Sequence, residues 1–182
     1  MKIIDSEIEA VKFIYPDIFP DERGFFLESY NKKRYEEAGL NVIFVQDNFS
    51  KSVKGTVRGL HYQVGENAQG KLCFVILGKV LDVAVDIRFG SPTFGKYVSV
   101  ELTEERKNQI WLPPGFAHGF SVLSDEAIFC YKCTGFYSKK DERAIIYNDP
   151  ELNIDWKVDN PIISAKDLSA KKFREIEKDF IF

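Results

Sequence analysis

The chain contains two histidines, and each has a glycine close to it in the sequence. His61 belongs to RGLHYQ at residues 58–63, and His118 belongs to PPGFAHGF at residues 113–120. Histidine is the usual side chain for proton transfer near neutral pH, although a single histidine is more often structural. Gly59 and Gly119 favour function here, because glycine permits close approach of the backbone to a ligand or a second strand. Both histidines are therefore candidates for acid–base chemistry.

Cationic side chains lie near the first histidine in the sequence. Arg23 precedes it, Arg58 lies three residues before it, and Lys71 follows ten residues later. Lys71 opens an expected strand that continues through Leu77. It is therefore either a solvated edge charge or a buried ammonium that stabilises an oxyanion.

Tyr131 is a candidate proton donor. By strand alternation, Phe129, Tyr131 and Cys133 share one face, whereas Cys130 and Lys132 share the other. A tyrosine on an apolar strand face usually belongs to the core, and it becomes a candidate acid only if a base lies across the pocket. The C-x-x-C spacing lacks a second cysteine pair and the helix start of redox motifs, so we expect small core residues.

A metal site is not expected. The segment at residues 113–118 resembles half of the cupin metal signature. The other half needs two histidines flanking one residue, followed by a carboxylate, and residues 59–63 supply only His61. Two histidines in the whole chain make a multi-histidine zinc or iron site improbable.

The elements that must position these side chains are mostly strands. Leu81, Val83, Val85 and Ile87 alternate with more polar residues, and residues 98–102 alternate in the same way, which predicts half-buried strands. Gly78-Lys79 predicts a tight hairpin turn between two apolar runs.

Helical pattern is sparse. Asn31 is expected to cap a helix that runs through Ala38 and ends at Gly39, and Thr103 a helical turn through Lys107. Residues 169–178 predict an amphipathic helix with Phe173 and Ile176 inward. Many strands and few helices predict an all-β jelly-roll sandwich or barrel, whose centre can hold a small ligand.

Length and charge restrict the possible partners. The 182 residues predict a single domain, residues 1–182, and the net charge of −3 argues against nucleic-acid or membrane binding by bulk electrostatics. No apolar run approaches the length needed to span a membrane or to form a signal peptide. We expect a cytoplasmic protein, and the three cysteines fit a reducing compartment.

The chain resembles the dTDP-4-dehydrorhamnose 3,5-epimerase family. The resemblance covers nearly the whole chain, in order from about residue 20 to Asp167, and is specific because many segments match together. These are residues 21–26, 45–50, 57–63, 69–71, 82–88, 90–95, 114–120, 131–134 and 148–150. It implies a cupin-type jelly roll, a homodimer without metal or organic cofactor, and a dTDP-4-keto-6-deoxy sugar nucleotide as substrate. The substrate would be inverted at C3 and C5 to the L-rhamnose configuration, for cell-surface polysaccharide.

The resemblance also implies roles for individual residues. His61 would be the base, Asp167 would orient it, Lys71 would steady the enolate oxygen, and Tyr131 would donate a proton from the opposite face. Because a ketone at C4 acidifies the hydrogens on C3 and C5, one such set can serve both centres. The residues expected to bind substrate are Arg23, Phe26, Glu28, Gln46, Asp47, Asn48, Arg58, Lys71, His118, Tyr137, Glu142 and Lys166.

Several alternatives remain open at this point. Arg58 and His61 would point to opposite faces of an unbroken strand, so either Gly59 forms a bulge or Arg58 reaches across a dimer. The family commonly has two tyrosines where this chain has Phe136-Tyr137. A relative that inverts only C3 or only C5 of another dTDP-keto sugar is one alternative function. A cupin that binds a sugar nucleotide without catalysis is another.

Overall fold

Two β-sheets packed face to face form the body of the molecule. The computed structural model describes all of the chain, residues Met1–Phe182. A six-stranded sheet has the order β1-β2-β10-β7-β12-β5, and a five-stranded sheet has the order β13-β6-β11-β8-β9. The strands of these sheets are β1 (Lys2–Asp5), β2 (Lys12–Tyr15), β5 (Gln46–Val53), β6 (Val57–Gln63), β7 (Lys71–Leu77), β8 (Lys79–Asp86), β9 (Tyr97–Thr103), β10 (Gln109–Leu112), β11 (Phe116–Val122), β12 (Glu126–Cys133) and β13 (Glu142–Ala144).

Strands β5–β12 have jelly-roll topology. Every connection among them, except the one between β8 and β9, joins a strand of one sheet to a strand of the other. All ladders within the two sheets are antiparallel. The predicted all-β jelly-roll sandwich is thus confirmed. A separate hairpin, β3 (Phe19–Asp21) and β4 (Gly24–Phe26), stands outside both sheets and is fully exposed.

The expected hairpin at Gly78-Lys79 is wrong. Strands β7 and β8, which flank Gly78, belong to different sheets and do not pair with each other. Gly78 is required for another reason: its φ is +79° and an added Cβ would lie 2.1 Å from the Glu126 carbonyl oxygen. The chain passes from one sheet to the other at this residue. The residue is a glycine because the β12 backbone leaves no space for a side chain.

Strand β8 differs from its predicted half-buried state, because both of its faces are covered. Leu81, Val83 and Val85 pack under the C-terminal segment, with residues such as Trp156. The opposite face, which carries Asp82, points into the space between the sheets. Strand β9, by contrast, has a buried and a more exposed face, as predicted.

The helix expected after Asn31 and the turn expected at Thr103 are present, and the expected C-terminal helix is not. Asn31 caps α1 (Lys32–Glu37), and its side chain accepts a hydrogen bond from the Arg34 N–H. Thr103 Oγ1 accepts from the Arg106 N–H and caps one turn. In place of a helix over residues 169–178 there is α2 (Ala165–Leu168), followed by a 3₁₀ turn at Phe173–Glu175.

The C-terminal segment follows the surface of the five-stranded sheet instead of forming one helix. Phe173 is buried there and Ile176 packs against the same cluster, so both face inward as expected. Parallel bridges join Ile145 to Lys171 and Phe89 to Ile181. These backbone contacts replace the hydrogen bonds of a longer helix. All three cysteines are buried and none forms a disulfide. Neither α-helix has the length and apolar character needed to cross a membrane.

Candidate active site

A polar cavity of about 250 Å³ lies between the two sheets. Strand β6 of one sheet and strands β5, β7 and β12 of the other supply most of its walls. Two residues beyond β12 complete it at the mouth. The lining residues are Gln46, Asn48, His61, Tyr62, Gln63, Gln69, Lys71, Tyr131, Cys133, Tyr137 and Glu142.

His61 is held by a buried aspartate. Its Nε2 lies 2.7 Å from Asp167 Oδ1, while 31% of its side-chain surface remains exposed. The short helix α2 delivers Asp167: Ser164 caps the helix by accepting from the Asp167 N–H at 3.1 Å. Burial pushes the pKa of Asp167 upward, but the hydrogen bond and charge of His61, with the Gly59 N–H, hold it below its usual value. An ionised carboxylate therefore orients the ring and stabilises its protonated form.

A β-bulge at Gly59 resolves the spacing of Arg58 and His61. The register pairs His118 with His61 and Phe120 with Arg58, so a step of three residues along β6 lies opposite a step of two residues along β11. Gly59 has a φ of +121°, and an added Cβ would lie 2.6 Å from the Gly119 Cα. Arg58 consequently borders a groove that it shares with His61 and Asp167, and its Nε donates to Ser52 Oγ at 3.0 Å.

Lys71 is a buried ammonium and not a solvated edge charge. It begins β7, which lies between β10 and β12, and it is only 7% exposed. Its Nζ lies 5.9 Å from the centroid of the Tyr131 ring. None of the ion pairs in the structure includes Lys71, whereas Lys132 and Lys166 each contact a carboxylate. A cation without a partner in a cavity is suited to stabilise a negative oxygen.

Tyr131 faces His61 from the opposite sheet. It projects from β12 toward the interior, next to Phe129 and beside the cavity. Burial, with smaller contributions from the thiols of Cys133 and Cys73, raises the pKa of Tyr131 to about 12. The phenol therefore keeps its proton at neutral pH until a stronger base forms beside it.

A chain of hydrogen bonds surrounds the cavity mouth. Gln46 Nε2 donates to Asn48 Oδ1 at 3.0 Å, and Gln46 Oε1 accepts from the Tyr137 N–H. The Tyr137 hydroxyl donates to Glu142, which also forms an ion pair with Lys166. Burial raises the pKa of Glu142, but Lys166 and Tyr137 outweigh it and leave the pKa below its usual value.

Five residues expected to bind substrate lie elsewhere in the single chain. Arg23 pairs with Asp21 in the exposed β3–β4 hairpin, and Phe26 of that hairpin is 65% exposed. Glu28 contacts Asn31 and Arg34 near α1. Asp47 and His118 also lie outside the cavity wall. Asp47 pairs with Lys132 on the outer sheet face, and His118 is buried against Asp82. Their roles in substrate binding stay predictions.

Four cavity residues were not singled out from the sequence: Tyr62, Gln63, Gln69 and Cys133. Gln63 accepts a hydrogen bond from the Ser138 N–H, and Gln69 donates to the Gly135 carbonyl, so both hold the loop that carries Tyr137. Strand alternation from His61 to Gln63, and from Tyr131 to Cys133, was the available signal.

The fold and the site together define a class of protein: a cupin-type β-sandwich with a hydrogen-bonded histidine–aspartate pair at its cavity. The family model for dTDP-4-dehydrorhamnose 3,5-epimerase matches residues 5–175 of the chain. The chain belongs to this family.

Individual relatives agree with that assignment. A dTDP-4-dehydrorhamnose 3,5-epimerase of Shigella flexneri is 58% identical over 174 residues, covering 95% of this chain and 96% of the relative. The crystal structure of a dTDP-6-deoxy-D-glucose-3,5-epimerase from Legionella pneumophila, in complex with dTDP-4-keto-L-rhamnose, is 54% identical. It superposes with a TM-score of 0.93 and covers 97% of this chain and 94% of that one. A dTDP-4-dehydrorhamnose 3-epimerase of Streptomyces niveus is 39% identical over 93% of this chain and 83% of the relative.

Proposed function

We propose that this protein converts dTDP-4-dehydro-6-deoxy-α-D-glucose to dTDP-4-dehydro-β-L-rhamnose by inverting C3 and C5, within dTDP-L-rhamnose biosynthesis. The observation that carries the proposal is the placement of His61 and Tyr131 on opposite walls of one cavity, with Lys71 beside them. Inversion requires a proton to leave one face of a carbon and arrive on the other. A base and an acid on facing sheets satisfy that requirement.

The reaction begins with proton abstraction by His61. Neutral His61 removes the proton from C3 or C5, and the C4 ketone accepts the electron pair as an enolate oxygen. Asp167, ionised and 2.7 Å from the ring, stabilises the imidazolium that forms. The Lys71 ammonium stabilises the enolate oxygen. Tyr131 then protonates the carbon from the other face. His61 next releases its proton to solvent and Tyr131 regains one from solvent, after which the same steps invert the second carbon.

The nucleotide would extend from the cavity along the groove that borders His61. Arg58 and Lys166 line this groove and supply positive charge for the diphosphate. Tyr137 lies at the mouth with 54% of its surface exposed, where a ring can stack on the base. No metal or organic cofactor takes part in these steps.

We also propose that the chain acts as a homodimer of single-domain subunits in the cytoplasm. The outer face of the six-stranded sheet carries Phe49, which is 79% exposed, and Ile76, which is 57% exposed. Apolar grooves there also include Phe25 and Phe74. A second copy covering this face would bury these side chains. The hairpin that carries Arg23 would then reach the active site of the second copy and complete it.

The dimer is tested by light scattering, which should give twice the chain mass. Phe49→Asp should give monomers, and a monomeric parent protein would contradict the dimer.

The test of the reaction is solvent deuterium uptake. The enzyme is incubated with the substrate in heavy water, and mass spectrometry with NMR locates the deuterium. Two exchanging carbons with inverted product support the double epimerase. Exchange at one carbon only would assign a mono-epimerase, the activity named for the Streptomyces niveus relative. No exchange at either carbon would leave a binding protein without catalysis.

A further inference from the structure

The β12–β13 loop, residues 134–141, carries Tyr137 to the mouth of the cavity as the chain passes from one sheet to the other. No backbone–backbone hydrogen bond joins residues 135–138 to any other segment. The one bond of this kind that they make, from the Asp141 N–H to the Ser138 carbonyl, stays within the loop. A loop with so few main-chain bonds is expected to open readily.

Side-chain amides supply the contacts that the backbone lacks. Gln63, in β6 of the five-stranded sheet, accepts from the Ser138 N–H at 2.8 Å. Gln69, two residues before β7 of the six-stranded sheet begins, donates to the Gly135 carbonyl at 2.8 Å. These contacts join segments that are 75 and 66 residues apart in the sequence. The loop is therefore bonded to both sheets, once on each side of Tyr137.

Burial makes these two glutamines effective anchors. They are only 5% and 8% exposed, so packing restricts their side chains. Opening of the loop would leave their amides without these partners, which is unfavourable for mostly buried polar groups. Gln46 makes a third contact by accepting from the Tyr137 N–H, but it also donates to Asn48 at the cavity wall. Gln63 and Gln69 are thus the cleaner residues for a test.

We infer that Gln63 and Gln69 are positioning residues for ligand recognition: they hold the β12–β13 loop from both sheets, so that Tyr137 is in place before a ligand binds. A loop that is ordered in advance adds no ordering cost to the binding step, and affinity rises without a new ligand contact. The effect on affinity rests on the proposed binding of a dTDP sugar in this cavity. The anchoring of the loop in the free protein does not.

The two glutamines use opposite ends of the amide, which provides a matched pair of substitutions. Gln63 accepts through Oε1, and a glutamate side chain keeps an acceptor there. Gln69 donates through Nε2, and an ionised glutamate would place an oxygen against the Gly135 carbonyl. Gln63→Glu should therefore retain the loop, whereas Gln69→Glu should release it. Leucine should release the loop at either position.

The anchoring is tested by hydrogen exchange of single amides, followed by NMR at neutral pH without ligand. In the parent protein, the Tyr137 and Ser138 N–H groups should exchange more slowly than the Phe136 N–H, which has no acceptor. Gln63→Leu should speed exchange at Ser138 by about tenfold, the effect of losing one hydrogen bond. Gln69→Leu and Gln69→Glu should speed it at both Tyr137 and Ser138, and Gln63→Glu at neither.

Gln109 supplies a control for general loss of stability. It is 1% exposed and donates to the Ser29 carbonyl at 2.8 Å, but it does not line the cavity. Gln109→Leu removes a buried glutamine of the same kind. It should leave exchange at Tyr137 and Ser138 unchanged.

The consequence for recognition is measured with dTDP by calorimetry and with the substrate by kinetics. Gln63→Leu and Gln69→Leu should weaken dTDP binding and raise KM by about tenfold, with little change in kcat. In a Tyr137→Ala background, the same two changes should add little, because they act through that side chain.

Unchanged exchange at Ser138 in folded Gln63→Leu would overturn the inference, and so would equally fast exchange in Gln63→Glu. A full further loss of affinity in the Tyr137→Ala background would also contradict it, because the glutamines would then contact the ligand directly. A parent protein with the expected exchange rates that fails to bind dTDP would count against the proposed function, while the anchoring of the loop would stand.

Discussion

The two histidine–aspartate pairs lie side by side yet have different surroundings. His61 and His118 are directly opposite each other on β6 and β11, and each places Nε2 against a buried aspartate. The side chain of His61 is 31% exposed, whereas that of His118 is 7% exposed. Asp167 also receives the Gly59 N–H, whereas Asp82 keeps one oxygen without a partner. The same pair of residue types is thus accessible in one place and enclosed in the other.

The largest expected effect comes from removing the accessible base. His61→Ala should abolish deuterium exchange at both C3 and C5, because the only other carboxylate or imidazole that lines the cavity, Glu142, is ion-paired with Lys166. Loss of a general base lowers rates by about 10²–10⁴-fold. Exchange is measured by mass spectrometry, and circular dichroism confirms that the variant is folded. His118→Gln should lose less activity; equal losses would mean that both histidines act as bases.

Tyr131→Phe should separate exchange from inversion. The change keeps the aromatic bulk, and His61 and Lys71 can still form the enolate. Deuterium should therefore enter the recovered substrate, or a partly inverted sugar, faster than fully inverted product appears. His61→Ala should show neither event. Fully inverted product at the parental rate would transfer the acid role to Tyr137 or to a bound water.

The two pairs should also change the free energy of unfolding in different pH ranges. The pKa of His118 is lowered by burial, so the native state binds fewer protons than the unfolded chain just below pH 6.5, the ordinary histidine value. The free energy of unfolding should therefore fall as the pH drops through that range. His118→Gln should remove this part of the pH dependence, as measured by urea unfolding. An identical slope in the variant would contradict it.

The carboxylate of the other pair should act at lower pH. The pKa of Asp167 lies below its ordinary value of 3.8, so its contribution is complete above that value. This stabilisation is lost only as the pH falls through the depressed pKa. In Asp167→Asn, the decline of unfolding free energy below about pH 4 should be shallower than in the parent protein. A difference confined to neutral pH would refute this assignment.

Exhaustive chelation should have the smallest effect: full activity is expected. Neither pair has a second histidine, and the closest set of donors is Cys73, Asp82 and His118 within 4.8 Å. Burial raises the pKa of the Cys73 thiol, which disfavours the thiolate that a metal needs. Activity lost on chelation and regained with added metal would overturn this prediction.

Local pattern located the strands but not their partners. Alternation predicted β8 and β9, and the Asn31 cap predicted the N-terminal helix, because these depend on neighbouring residues. It predicted a half-buried β8, whereas both faces of this strand are covered, because residues far along the chain, such as Trp156, pack on its apolar face. Gly78 likewise looked like a hairpin glycine, and only the proximity of β12 reveals the crossing between sheets.

The sequence by itself determined which chemistry was available: two histidines, a lysine, a tyrosine and an aspartate in segments that resemble one epimerase family. It also indicated that Gly59 could free Arg58 and His61 from strict alternation. Only the tertiary structure decided which histidine is accessible and which is enclosed. His61 meets Asp167 across 106 residues of sequence, and the packing of two sheets and a C-terminal segment brings them together. Exposure and charge are properties of that packing, and no local spacing encodes them.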